Sequence, residues 1–274
     1  MELSVTWTIA LRELRESLRN KWLVGFAIGF AVLSLALSRT SLATAGYAGL
    51  GGFGRTAASM VNALLLFVPL LGLSVGAGVI AGDRERGSLF YLQAQPVSKT
   101  EIFLGKALGT SLGAGAALSI GFGIAMLTLA ARGASNVAAF LSLAGYTLLL
   151  LLVSLGLGFL VSALTRRAAT ATGAALLLWL GAAFLGDLAL IGSVLALRPS
   201  PANLLTLLMV NPLQVFKLGA ILSLHATLDT LGAAGQYAVF HFGPALPWLL
   251  TALLSAWTVA AFGVALVLFN RWNE

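Results

Sequence analysis

Residues 59–81 read SMVNALLLFVPLLGLSVGAGVIA, an apolar run with no charged side chain, and residues 82–106 read GDRERGSLFYLQAQPVSKTEIFLGK, which breaks the run with seven. A second apolar run begins at once with Ala107. A helix rises about 1.5 Å per residue, so a run of this length crosses the roughly 30 Å hydrocarbon core of a bilayer. The same kind of run recurs at 22–37, 107–131, 137–164, 170–197 and 245–269. With 59% of the chain apolar, 9% charged and a mean hydropathy of +0.98, the composition is that of a protein whose solvent is lipid. Backbone groups in hydrocarbon must pair within their own segment or around a closed barrel, and the alternating pattern of a barrel is absent. The expected fold is an all-α polytopic membrane protein, a single transmembrane domain over 1–274 with six transmembrane helices.

The run at 22–37 follows a charged stretch and has no small-residue cleavage site with a soluble domain after it, so it is expected to be a retained span. Placing the N-terminus inside puts eleven Lys and Arg on the cytoplasmic side (Arg12, Arg15, Arg19, Lys21, Arg84, Arg86, Lys99, Lys106, Arg166, Arg167, Arg271). Five fall outside: Arg39, Arg55, Arg132, Arg198 and Lys217. That asymmetry and an even span count predict both termini in the cytoplasm in a multi-pass protein. The net charge of +7 is accounted for in the same way, and no basic stripe with interleaved aromatics points to nucleic acid. Cysteine is absent, which excludes disulfides and thiolate metal sites.

Residues 1–21 carry Trp7, Leu11, Leu14 and Leu18 at helical spacing, with Arg12, Arg15, Glu16 and Arg19 opposite. This predicts an N-terminal interfacial amphipathic helix. In the polar segment, Ser98 and Glu101 form a capping box ahead of Ile102, so the next membrane helix is expected to start in the cytoplasm. Pro96 ends whatever precedes it, and residues 87–94 suit a short helix with Leu89, Phe90 and Leu92 available to pack. Gly105, Gly109, Gly113, Ala117 and Gly121 recur every four residues, a stripe that lets another helix approach closely. Between the last two spans, the short apolar stretches of 198–243, broken at Asn211-Pro212, predict a re-entrant helical hairpin offering a surface to an extracytoplasmic partner.

Catalytic patterns are mostly excluded. Gly105-Lys106 is followed by Ala107, and Thr100 stands where a phosphate loop needs its first Gly. His225 and His241, the only histidines, both fall in the outside segment, away from any intramembrane hydrolytic site. His225 with Asp229 is too small a donor set for a metal, and the methionines show no recurring spacing. Asp187 is the one carboxylate well inside a span, where a charge costs at least about 2.5 kcal/mol unless paired or protonated. It is the intramembrane polar candidate, as a helix-to-helix hydrogen bond or a polar pathway residue.

The segment resembles the coupling loop of exporter-type ABC transporter permeases. Glu85, Gly87, Ser88 and Leu89 match their Glu-x-Gly-Thr/Ser-Leu pattern, Pro96 to Lys99 a Pro-Val/Leu-Ser/Gly-Arg/Lys pattern, and Gly105-Lys106 a Gly-Lys pair. In that family the short helix after the second span docks into a groove of a separate ATPase. The resemblance therefore implies ATPase coupling through Arg84, Glu85, Arg86, Gly87, Ser88, Leu89, Phe90 and Tyr91. Gly121-Phe122-Gly123, Trp179, Asp187 and Asn211, Pro212, Phe216, Lys217, Leu218 are similar to the branch serving copper-site assembly in nitrous oxide reductase. Arg84 and Arg86 depart from it, standing where that branch can be more acidic. The branch implies a homodimer over two NosF-like cytoplasmic ATPases, which hold the ATP and Mg, and no cofactor on this chain. It also implies a NosD-like periplasmic protein meeting Asn211, Pro212, Phe216 and Lys217, with a copper-chaperone lipoprotein nearby. Two alternatives stay open: an exporter permease for a lipid, drug or peptide, and an ion-coupled carrier using Asp187.

Overall fold

The computed structural model describes residues 3–19, 24–25, 28–29, 32, 49–130, 137–197, 199–224 and 232–271, with no strand among them. The run at 22–37 lies mostly outside these residues, as do His225 and Asp229. Among the described residues five segments are long and apolar enough to cross a membrane, Val61–Glu85, Lys99–Ile124, Ala138–Leu164, Ala168–Ser193 and Ala234–Arg271, and six if the bent pair Pro201–Val210 and Pro212–Ser223 counts as one span.

In chain order the helices are α1 (Leu3–Leu18), α2 (Gly49–Glu85), α3 (Ser88–Gln93), α4 (Lys99–Ala130), α5 (Val137–Leu164) and α6 (Ala168–Leu180). A π turn, Gly181–Leu185, leads into α7 (Gly186–Leu197), so α6 and α7 form one span with a bulge. Then come α8 (Pro201–Val210), α9 (Pro212–Ser223), α10 (Gly232–Phe242) and α11 (Leu246–Arg271). The axes of α8 and α9 differ by 111° across Asn211, which gives the broken hairpin. The break is local chemistry: Pro212 cannot continue a helix, and Asn211 accepts the Leu213 N–H at 3.0 Å to start the next.

The core is centred on α5, where Leu143, Leu150, Leu151, Leu155 and Phe159 are fully buried. Because lipid gives no hydrophobic drive between helices, close packing and polar contacts must hold them. Along α2 and α5 the packing is backbone on backbone. A Cβ on Gly76 would lie 3.1 Å from the Gly158 Cα, and one on Gly158 would lie 2.9 Å from the Gly76 Cα. One turn further on, the buried Ser162 hydroxyl donates to the Ala77 carbonyl at 2.6 Å and accepts from the Ile80 and Ala81 amides at 3.0 and 2.8 Å. A side chain of α5 is thus inserted into the hydrogen-bond ladder of α2, just before the charged segment.

Candidate functional site

Between α2 and α4 the chain makes a compact joint. The Arg86 amide still bonds Gly82 at 3.0 Å, and then Gly87 turns the chain with φ 74, a left-handed conformation that a side chain would strain. The short helix occupies Ser88–Gln93 with Ala94 as its C-cap, one residue inside the expected 87–94 at each end. Leu89 is completely buried among Ile80, Ile102, Phe103, Phe159 and Phe269. The sequence offered Phe90 for packing, but it is 55% exposed beside Tyr91 at 79%. On so short a helix Leu89 takes the inward face with Leu92 and Val97 beside it, and the next two positions turn outward. After Pro96, the Glu101 amide donates to the Ser98 hydroxyl at 3.3 Å while the Glu101 carboxylate accepts the Ser98 N–H at 2.9 Å.

The four charges of residues 83–86 go to two different places. Arg84 donates to the carbonyl of Thr165 at 2.6 Å and to that of Ala163 at 3.5 Å, both at the C-terminal end of α5. Glu85 accepts the Ala168 N–H at 2.8 Å, the first amide of α6. A cation at a helix C-terminus and an anion at an N-terminus satisfy groups that have no partner inside their helices and match both helix dipoles. Arg84 and Glu85 are thus engaged within the subunit, across the turn opposite the joint.

Asp83 and Arg86 face α1 and α4 instead. Lys106, with only 4% of its side chain exposed, binds the Glu13 carboxylate at 2.8 Å and also pairs with Asp83. Arg86 bonds Asp83 at 2.9 Å and reaches Glu16 at 3.9 Å. Burial is the main influence on Glu13 and raises its carboxyl above the ordinary value; Lys106 opposes this, and the nearby Asp83 charge adds to it. Lys106 offsets that burial only in part, because its one ammonium serves both carboxylates while Arg86 gives Asp83 a second cation.

The glycine stripe seats α1. A Cβ on Gly105 would meet Ile9 and Thr6, one on Gly109 would meet Ala10 and Glu13, and one on Gly113 would meet Ser17. Rising numbers pair with rising numbers, so α1 runs parallel to the N-terminal part of α4. Its buried residues are the small Thr6, Ala10 and Ser17, while Trp7 and Leu18 of the apolar stripe are 54% and 46% exposed. Small residues on glycines allow the close approach, and the large apolar ones are left facing outward. Gly121 is buried further along α4.

At the other end of the bundle the polar contacts are mostly amide-based. Asp187, exposed on the first turn of α7, accepts from Gln214 of α9 at 2.7 Å. Asn211 donates to the carbonyl of Ala182 at 2.8 Å, inside the π turn. A π bulge disturbs the regular ladder, and Asn211 bonds a carbonyl within it. Phe216 is fully buried, so it packs the core and offers no contact surface; Lys217, Asn211 and Pro212 are half-buried. His241 stacks on Tyr237 with centroids 5.4 Å apart. Among the described residues no group of three or more His, Cys, Asp or Glu is placed to hold a metal.

Sequence reasoning missed Glu13, Asp83 and Gln214 as functional partners. Lys106 carried the available signal: a lysine eight positions after the Ser98 cap, entering an apolar run, needs an anion, and only a few carboxylates lie on its side.

Fold and joint together define a multi-pass membrane subunit whose polar joint interrupts its helical bundle at one end. The chain belongs to the ABC-2 family of transporter proteins, whose family model matches residues 7–273. It is similar to a probable ABC transporter permease protein NosY of Pseudomonas aeruginosa, 36% identical over 104 residues, which is 38% of each chain. It is also similar to the corresponding probable NosY of Stutzerimonas stutzeri, 34% identical over 100 residues, 36% of each chain. The matched stretch is thus little more than a third of those relatives' length. An ABC permease implies an ATPase partner.

Proposed function

We propose that this permease converts closure of two cytoplasmic NosF-like ATPase subunits into movement of its α8–α9 hairpin, and that it serves copper-site maturation of nitrous oxide reductase. It works as a homodimer in a bacterial inner membrane with both termini in the cytoplasm, and a NosD-like periplasmic protein receives the movement. It catalyses nothing itself and binds no cofactor; ATP and Mg belong to the ATPase. The observation that carries this reading is α3: Leu89 is locked in the core while Phe90 and Tyr91 stand in the open. A helix anchored on one side and aromatic on the other suits docking into a groove, since exposed aromatics bury much area for little entropy. The similarity to NosY supports the copper role.

The test is a host strain lacking this chain. Its nitrous oxide reductase is expected to fold without a complete copper centre, and restoring the chain is expected to restore it; reductase with full copper content in the deletion strain overturns the copper reading.

A cavity of about 880 Å³ favours a second reading, an exporter of an apolar substrate. Phe67, Leu70, Leu71 and Leu176 line it, with Glu13, Glu16 and Arg86 also on its wall. Stimulation of ATP hydrolysis by an apolar compound, with no periplasmic partner present, supports that alternative. An independent carrier built on Asp187 has little left to support it, since an ABC permease draws on an ATPase and Asp187 is engaged with Gln214.

A further inference from the structure

The four successive charges Asp83, Arg84, Glu85 and Arg86 are sorted by helical period into two pairs. Asp83 and Arg86, three apart, share one face and belong to the cluster with Lys106, Glu13 and Glu16 on α4 and α1. Arg84 and Glu85 lie on another face and hold the α5–α6 turn through Thr165, Ala163 and Ala168. One residue later Gly87 turns the chain into α3.

We propose that residues 83–86 act as a force divider: they tie α3 at once to the α1–α4 pair and to the α5–α6 turn, so the cytoplasmic ends of the subunit move as one body. Asp83 and Lys106 are the positioning residues of one arm, Arg84 and Glu85 of the other. Directional hydrogen bonds and ion pairs resist both pushing and pulling, whereas the apolar seat of Leu89 resists mainly separation. Bending is then left to the membrane part of α2, where Pro69 lacks an amide. This inference rests on reading α3 as the entry point of the ATPase stroke.

The test uses the full chain reconstituted with its ATPase. The chain has no cysteine, so single label pairs are clean, and dilution with unlabelled chain leaves one labelled copy per complex. Spin labels at exposed Gln95 and Thr8 report the α1–α4 arm, and labels at Gln95 and exposed Ala169 report the α5–α6 arm. Both distances are expected to stay unchanged between nucleotide-free and ATP-bound complexes. In the Arg84→Gln/Glu85→Gln variant only the Ala169 distance is expected to become nucleotide-dependent. In Lys106→Met, or the milder Glu13→Gln, only the Thr8 distance changes, and Lys106→Arg restores it. General loosening of the fold would move both distances in every variant, and that result overturns the divider. So does an ATP-driven change of either distance in the unaltered chain, or no change in any variant. If no ATPase is retained by the unaltered chain, the reading of α3 fails instead, and the two failures are told apart by that control.

Discussion

The two ends of the bundle use different polar chemistry. At the end that carries the joint, the largely buried Lys106, Glu13 and Asp83, with Arg86 at their edge, form a charged cluster that knits three separate segments. At the far end, Asn211 and Gln214 reach a backbone carbonyl and one carboxylate through amide groups. Opposite charges in low dielectric give a stiff joint, because separating them leaves a buried charge unpaired. Amide hydrogen bonds are weaker, net about 1 kcal/mol to a carbonyl and about 1.5–3 to a carboxylate, and neither leaves a buried cation unpaired when it opens. The contrast suits a molecule gripped at one end and released at the other.

The strongest way to break this contrast is at Lys106. Lys106→Met leaves Glu13 and Asp83 buried without their shared cation and is expected to destabilise the fold by about 3–5 kcal/mol, measured as a lowered midpoint of thermal unfolding in detergent. Overpacking the neutral seam comes next: Gly76→Val drives a side chain into the Gly158 backbone and is expected to cost about 1–3 kcal/mol in the same assay. At the far end Asn211→Leu removes both the cap of α9 and the partner of Ala182, with an expected loss of about 1–2 kcal/mol. A loss at Asn211 equal to that at Lys106 would erase the contrast. The smallest effect is in pH. Glu13 is held above its ordinary pKa of 4.5, so the folded state retains a proton that the unfolded state has released. Its contribution to stability is therefore fully present below that value and falls as pH rises through the window above it. Glu13→Gln is expected to flatten that part of the pH profile relative to the unaltered chain.

How much of this the sequence disclosed depended on whether the signal was local. The capping box of Ser98 and Glu101 spans four residues, and the break at Asn211-Pro212 spans two, so both were legible before any packing was known. The glycine stripe of α4 was legible as a packing face, but its occupant was not. Nothing local shows that α1 turns Thr6, Ala10 and Ser17 to the protein and leaves Trp7 and Leu18 outside. The family resemblance assigns Phe216 to a partner contact, and it lies in the core because α9 packs on α5 and α11. The charge cluster was the least legible, since Glu13 and Lys106 are 93 positions apart and no periodicity joins them.

The central claim is that the ATPase grips the subunit through the exposed side of α3. The direct measurement is retention of the ATPase on affinity-tagged chain carrying Phe90→Ala and Tyr91→Ala, with thermal unfolding followed in parallel. Loss of most of the bound ATPase with an unchanged unfolding midpoint is the predicted result. Full retention in a chain that is equally stable would contradict it.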